Sequence, residues 1–172
     1  MKAIVLTIAL LAAGTAVSQA AEKQSKQVEI TLELSSTCVL NVNNVQGFGS
    51  WPTGGDDISG VSLGSVSVTC ADGLVYAVGI DAGENYDGST RRLSNGTDYV
   101  PYTLRSESSS GAEWGDTGLT DIASDYVATH SAQAVLGTGN GAIQSISLWG
   151  DATIPNVGAG QYADQVNITL VW

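Results

Sequence analysis

Apolar and polar residues alternate strictly along Gln27-Val28-Glu29-Ile30-Thr31-Leu32-Glu33-Leu34, with 28, 30, 32 and 34 apolar and 29, 31 and 33 polar. Period two is the mark of a strand with one apolar and one wet face. The same pattern predicts further strands. Residues 39–42 form a short one. Residues 61–70 form a longer one, whose phase slips at Gly64-Ser65 and so predicts a bulge. Residues 74–81 put Leu74, Tyr76, Val78 and Ile80 on one face and the small Ala77 and Gly79 on the other. Residues 99–105 follow, with Pro101 arguing for a sheet edge. Residues 142–149 recover strand character. Residues 161–172 predict a final strand with Val166, Ile168, Leu170 and Trp172 on one face.

Between these runs the chain is rich in Gly, Ser, Asn and Asp. Residues 43–60 and 82–98 read as loop and turn, and 106–141 as long connections broken by strand-like pieces at 126–128 and 134–136. Helical periodicity is missing beyond the first twenty residues. Short strands separated by Gly-rich turns predict an all-β sandwich.

The start of the chain reads as an export signal. Met1-Lys2 is positive, residues 4–13 are apolar, and Ser18-Gln19-Ala20 places small residues before a cleavage site after Ala20. The apolar run is too short to span a membrane comfortably. Residues 1–20 are therefore the signal peptide, 21–36 an extension carrying the first strand, and 37–172 the domain. Removing Lys2 from the six bases leaves five against 17 acids, a net charge near −12. Such a surface repels nucleic acid and anionic membranes. Both remaining lysines, Lys23 and Lys26, lie just ahead of Val28. The two cysteines, Cys38 and Cys70, belong to an exported protein and are expected to pair. A disulfide closing a loop of about 33 residues stabilises by roughly 3–4 kcal/mol.

Candidate chemistry is thin. Asp81, Glu84, Asn85 and Asp87 could gather around calcium, but their spacing does not match the twelve-residue loop. Trp51, Trp114, Trp149 and Tyr162 could form a sugar platform, with Trp149 and Tyr162 better suited to packing. Arg91-Arg92 reads as a surface or carboxylate-pairing motif. His130, the one histidine, stands without a nucleophile elbow, so catalysis, metal and cofactor are not expected.

An N-terminal strand of this kind can fold back or leave to pair with a neighbour. If it leaves, a sandwich that needs about seven strands is one short, and the exposed edge wants a cover. Several motifs then line up: the cysteine after the alternating strand, Ser67-Val68-Thr69-Cys70, the run from Tyr76 to Gly83, and Arg91-Arg92-Leu93. Tyr102-Thr103-Leu104-Arg105, Trp114-Gly115-Asp116, Gly150, Ile154-Pro155 and the run from Gly158 to Asp164 complete the set. Together they resemble the spore coat protein U domain, the pilin domain of archaic chaperone–usher pili, over nearly all of the mature chain.

The resemblance implies an incomplete immunoglobulin-like β-sandwich completed by donor-strand exchange. A periplasmic chaperone lends a strand during export. At the outer-membrane usher the N-terminal segment of the next identical or related subunit replaces it, building a homopolymer at the cell surface. Val28, Ile30, Leu32 and Leu34 would be the donor, and Val166, Ile168, Leu170 and Trp172 would line the acceptor cleft and meet the chaperone. A self-contained secreted sandwich binding sugar or calcium is the alternative.

Overall fold

The computed structural model describes residues 24–33 and 36–172. The signal peptide expected over 1–20, Lys23 and Leu34 lie outside the described residues. Residues 24–33 belong to no sheet, and Val28, Ile30 and Leu32 are exposed. Residues 35–172 make one compact unit, which follows.

That unit is built of β1 (Cys38–Asn43), β2 (Ile58–Cys70), β3 (Val75–Ile80), β4 (Arg91–Ser94), β5 (Tyr99–Ser106), β6 (Val135–Thr138), β7 (Ile143–Ala152) and β8 (Ile168–Val171), with one turn of 3-10 helix at Leu119–Asp121. Five strands pair in the order β1-β2-β7-β5-β4, and three in the order β6-β3-β8, all antiparallel. Two sheets face each other across one core of Val66, Val68, Tyr76, Val78, Ile80, Leu104, Trp114 and Leu148. The arrangement is an immunoglobulin-like sandwich: β1-β2-β7-β5 correspond to the A-B-E-D sheet, and β3-β8 to the C-F part of the other. Among the described residues no helix is long and apolar enough to cross a membrane.

Alternation dictates the long strands. In β2, Val66, Val68 and Cys70 point inward and are fully buried. The ladder to β7 shifts between Ser62 and Gly64, close to the expected bulge, and again between Ile58 and Val61. Gly64 takes φ 126°, and a Cβ there would meet the carbonyl oxygens of Asn43 and Asn44 at 2.9 and 2.8 Å, so glycine alone fits. Cys38 and Cys70 face each other in register and are joined by a disulfide, Cα–Cα 4.1 Å.

Elsewhere the structure departs from the pattern. β4 stands inside the stretch expected to be turn. Pro101 is not on an edge, since β5 lies between β7 and β4. It is tolerated because the β5–β7 ladder starts at Tyr102, and only the Pro101 carbonyl is used on that side, accepting from the Thr153 N–H at 3.0 Å. β6 matches the piece at 134–136, whereas 126–128 forms no strand. The last strand covers Ile168–Val171 only. Arg91 is buried: Nε donates to the Asp81 carbonyl (2.8 Å) and Nη2 to the Ile80 carbonyl (2.7 Å).

Candidate functional site

The two long sides of the sandwich differ. On one side residues 112–117 run from the part of β5 beyond its pairing with β4 to the part of β3 beyond its pairing with β6. The Trp114 N–H donates to the Leu104 carbonyl, the Ile80 N–H donates to the Gly115 carbonyl, and Trp114 Nε1 donates to the Val78 carbonyl at 2.8 Å. Trp114 is fully buried and ties both sheets together. The strap continues over the outer face of the smaller sheet. There Gly79 is enclosed, because a Cβ would lie 2.9 Å from Asp116 Cα and 2.8 Å from Leu119 Cδ1. This packing explains the glycine at 79.

Asp116 organises the strap. Fully buried, its carboxylate accepts from the backbone N–H of Thr129 and of His130, from the Thr129 hydroxyl and from the Tyr126 hydroxyl, at 2.7 to 3.0 Å. Burial, reinforced by that bond to Asp116, pushes the Tyr126 phenol up to about 12. His130 Nδ1 accepts from the Ala132 N–H at 3.1 Å, which fixes the ring as the neutral Nε2–H form, and Nε2 lies 3.4 Å from Glu113. Burial, then the charge of Arg91, lowers its pKa. These groups are consumed in holding a loop.

The opposite side, between β1 and β8, has no strap among the described residues. Cys38, Leu40 and Val42 on β1 face Cys70, Val68 and Val66 across the ladder, and so point into the sandwich. Val66 is 0% exposed, yet Val42 is 53% exposed. β8 repeats this on the other sheet: Ile168 and Leu170 lie opposite Ile80 and Val78, which are wholly buried, but are themselves only half-buried. The core is thus sealed one strand in from each of these two edges and open at the edges themselves. Among the described residues β8 pairs only with β3, so its other edge presents free N–H and C=O groups there.

Side chains reinforce the short β3–β8 ladder where β8 begins. Asp81 Oδ1 accepts from the Asn167 N–H (3.0 Å) and Oδ2 from Asn167 Nδ2 (2.6 Å). Just upstream, Asp164 accepts from the Tyr102 hydroxyl (2.6 Å) and from Asn85 (3.0 and 3.1 Å). Burial first, then this carboxylate, raises the Tyr102 phenol far above its ordinary range.

A cleft of about 760 Å³ opens at the end of the sandwich where β2 begins and β7 finishes. Its floor holds Ile58, Val100 and Ala152, and its rims carry Trp51 and Tyr162.

Of the expected site residues, Cys38 and Cys70 are bonded. Val166, Ile168 and Leu170 pack half-buried against the core, and Trp172 is 52% exposed beyond the end of β8. Val28, Ile30 and Leu32 are exposed. The calcium candidates are dispersed: Asp81 holds Asn167, Asn85 holds Asp164, and Asp87 caps the turn at Ser89 and Thr90. Of the four aromatics weighed as a sugar platform, Trp114 is buried and Trp149 lies on the outer face of β7, while Trp51 and Tyr162 share the cleft. Sequence reading missed Leu40 and Val42 as walls of the open side, although their spacing from Cys38 marks the same face.

The family model for the Spore Coat Protein U domain matches residues 24–169. No curated protein sequence matches the chain. Among solved structures, a match is the CsuC–CsuE chaperone–tip adhesion subunit pre-assembly complex from archaic chaperone–usher Csu pili of Acinetobacter baumannii, at 15% identity and a TM-score of 0.48. The alignment covers 80% of this chain and 40% of that one.

Proposed function

The chain belongs to the Spore Coat Protein U domain family, and from that premise we propose that it is a structural subunit of a chaperone–usher pilus, assembled by donor-strand complementation. The observation that carries this reading is the loss of burial across a single strand at both β1 and β8, with Val42 half exposed beside a fully buried Val66. A strand added along the free edge of β8 satisfies its backbone groups and covers Val42, Leu40, Ile168 and Leu170 together. Val28, Ile30, Leu32 and Leu34 of another copy supply four apolar side chains at the period a strand needs. Each buried contributes about 1.5–3 kcal/mol gross, enough to join two subunits without a covalent bond.

In this reading residues 21–36 are the donor extension and 37–172 the accepting domain. A periplasmic chaperone covers the open side until the outer-membrane usher exchanges it for the next subunit, and the fibre stands at the cell surface. The role is architectural, and no catalytic group is assigned.

The test uses a variant lacking residues 21–34, purified with and without a peptide of residues 24–36. The peptide should raise Tm and remain bound through gel filtration, whereas a Leu32→Asp peptide should do neither. Equal Tm with and without the peptide, or a truncated domain that no longer folds with it present, overturns the proposal.

A further inference from the structure

We propose that successive copies also touch end to end, the loop 47–53 of the accepting copy packing through Trp51 against Val39 and Ile143 of the donating copy. This inference rests on the donor-strand reading above and adds a second surface to it. The two ends of the domain are chemically distinct. At one, the disulfide joins β1 to β2, and the turn after β2 meets the turn before β7 through the Gly73 N–H to Gly139 carbonyl and the Gly141 N–H to Cys70 carbonyl bonds. The other end, at the far end of the 13-residue β2, holds the cleft and Trp51.

Chain direction decides which ends meet. β8 runs from the cleft end, where Asp164 lines the cleft, towards Val171 opposite Ala77 near the start of β3. A donor antiparallel to β8 brings its C-terminal residue, Leu34, out at the cleft end. Only residues 35–37 separate Leu34 from Cys38, a reach of about 13–14 Å fully extended. The disulfide end of the donating copy must then lie against the cleft end of the accepting one. A parallel donor would press two disulfide ends together. One surface would then serve both neighbours, and such a contact cannot repeat along a fibre.

The surfaces brought together suit one another. Val39 and Ile143 flank Thr69 in a single row on the outer face of the larger sheet, 53% and 76% exposed. Trp51 is 50% exposed, and its indole is aimed by a bond from Nε1 to the Phe48 carbonyl at 2.6 Å. A chain of net charge −11 meets its own copy most readily where it is uncharged. Residues 42–55, 37–41 and 139–145 contain no charged side chain, with Asp72 in the turn after β2 and Asp56-Asp57 after residue 55 as the nearest carboxylates along the chain.

The experiment assembles the full chain carrying Trp51→Cys and Ile143→Cys, oxidises the fibres mildly, and dissolves them in hot SDS without reductant. Covalent oligomers are expected, at least tenfold more abundant than from a Trp51→Cys, Ser108→Cys control. Oligomers no more abundant than in the control, in fibres that assemble normally, overturn the end-to-end contact and leave the donor-strand reading intact. If neither the native chain nor any variant assembles, the donor-strand reading fails and takes this inference with it. As a second measurement, Trp51→Ala and Ile143→Ser fibres, altered only at exposed side chains, should assemble at the native yield but bend more. A persistence length equal to that of native fibres by electron microscopy counts against the contact.

Discussion

Asp81 holds Asn167 by both its backbone and its side-chain amide, at 3.0 and 2.6 Å, while its own N–H donates to the Asn167 carbonyl. A carboxylate just past the end of β3 thus helps fix the register of β8, which has only four residues and, among the described residues, one neighbour. Asp81→Ala should cost roughly 1.5–3 kcal/mol, the range for hydrogen bonds to a charged group. Faster amide exchange along Ile168–Val171, with β2 and β7 unchanged, checks the assignment.

Val42 and Val66 separate stability from assembly. Val66→Ala, in the sealed part of the core, should cost about 2 kcal/mol or more in the monomer. Val42→Ala should cost less than about 1 kcal/mol, because half of that side chain already meets water. It should nonetheless weaken binding of the donor peptide by several-fold. Urea unfolding and peptide titration give the two numbers; equal effects of both substitutions on stability would contradict the open edge.

Stability should respond to pH through His130. Its folded pKa lies below the ordinary 6.5, so the unfolded chain binds the proton more readily. His130 therefore favours folding fully above pH 6.5, and that advantage declines as pH falls from 6.5 towards the folded value. Protonation at Nδ1 also sets a donor against the Ala132 N–H. Tm measured between pH 7.5 and 5 should fall, and His130→Gln should flatten the slope. Asp87 and Asp151 act in a different window, their pKa values being lowered from 3.8. In Asp87 the backbone bonds from Thr90 and Ser89 dominate, while in Asp151 burial is outweighed by Gly60 and Arg105. Both contribute stability that is lost only as pH drops below about 4.

The disulfide anchors the edge strand that borders the open side. Cys38→Ser with Cys70→Ser should lower stability by about 3–4 kcal/mol. β1 pairs on one side only, so its Cys38–Asn43 amides should lose exchange protection before those of β2.

Much of this architecture was legible in the residues. β2, β3 and β7 were legible because each places apolar residues at alternate positions toward the core, and Gly64 announced the bulge in β2. β4 and β6 are four residues each, too short for a period to emerge from turn-rich surroundings. The end of the chain reads as a longer strand than it forms, because Asp164 and Asn167 are engaged by side chains upstream of Ile168. Arg91 resembles a surface cation in sequence, since its burial depends on two backbone carbonyls, those of Ile80 and Asp81, that no side-chain pattern reveals. The open side could be inferred from Ile168 and Leu170, but its β1 wall depended on knowing that Val42 stands across from Val66.

The basic residues have a practical corollary. Arg91, Arg92 and Arg105 all sit within strands, bonded to carbonyls or to Asp87 and Asp151, and residues 36–172 contain no lysine. Among the described residues Lys26 is therefore the one lysine, exposed and just ahead of Val28. An amine-reactive dye on Lys26 can therefore report whether the segment that follows it is covered or free.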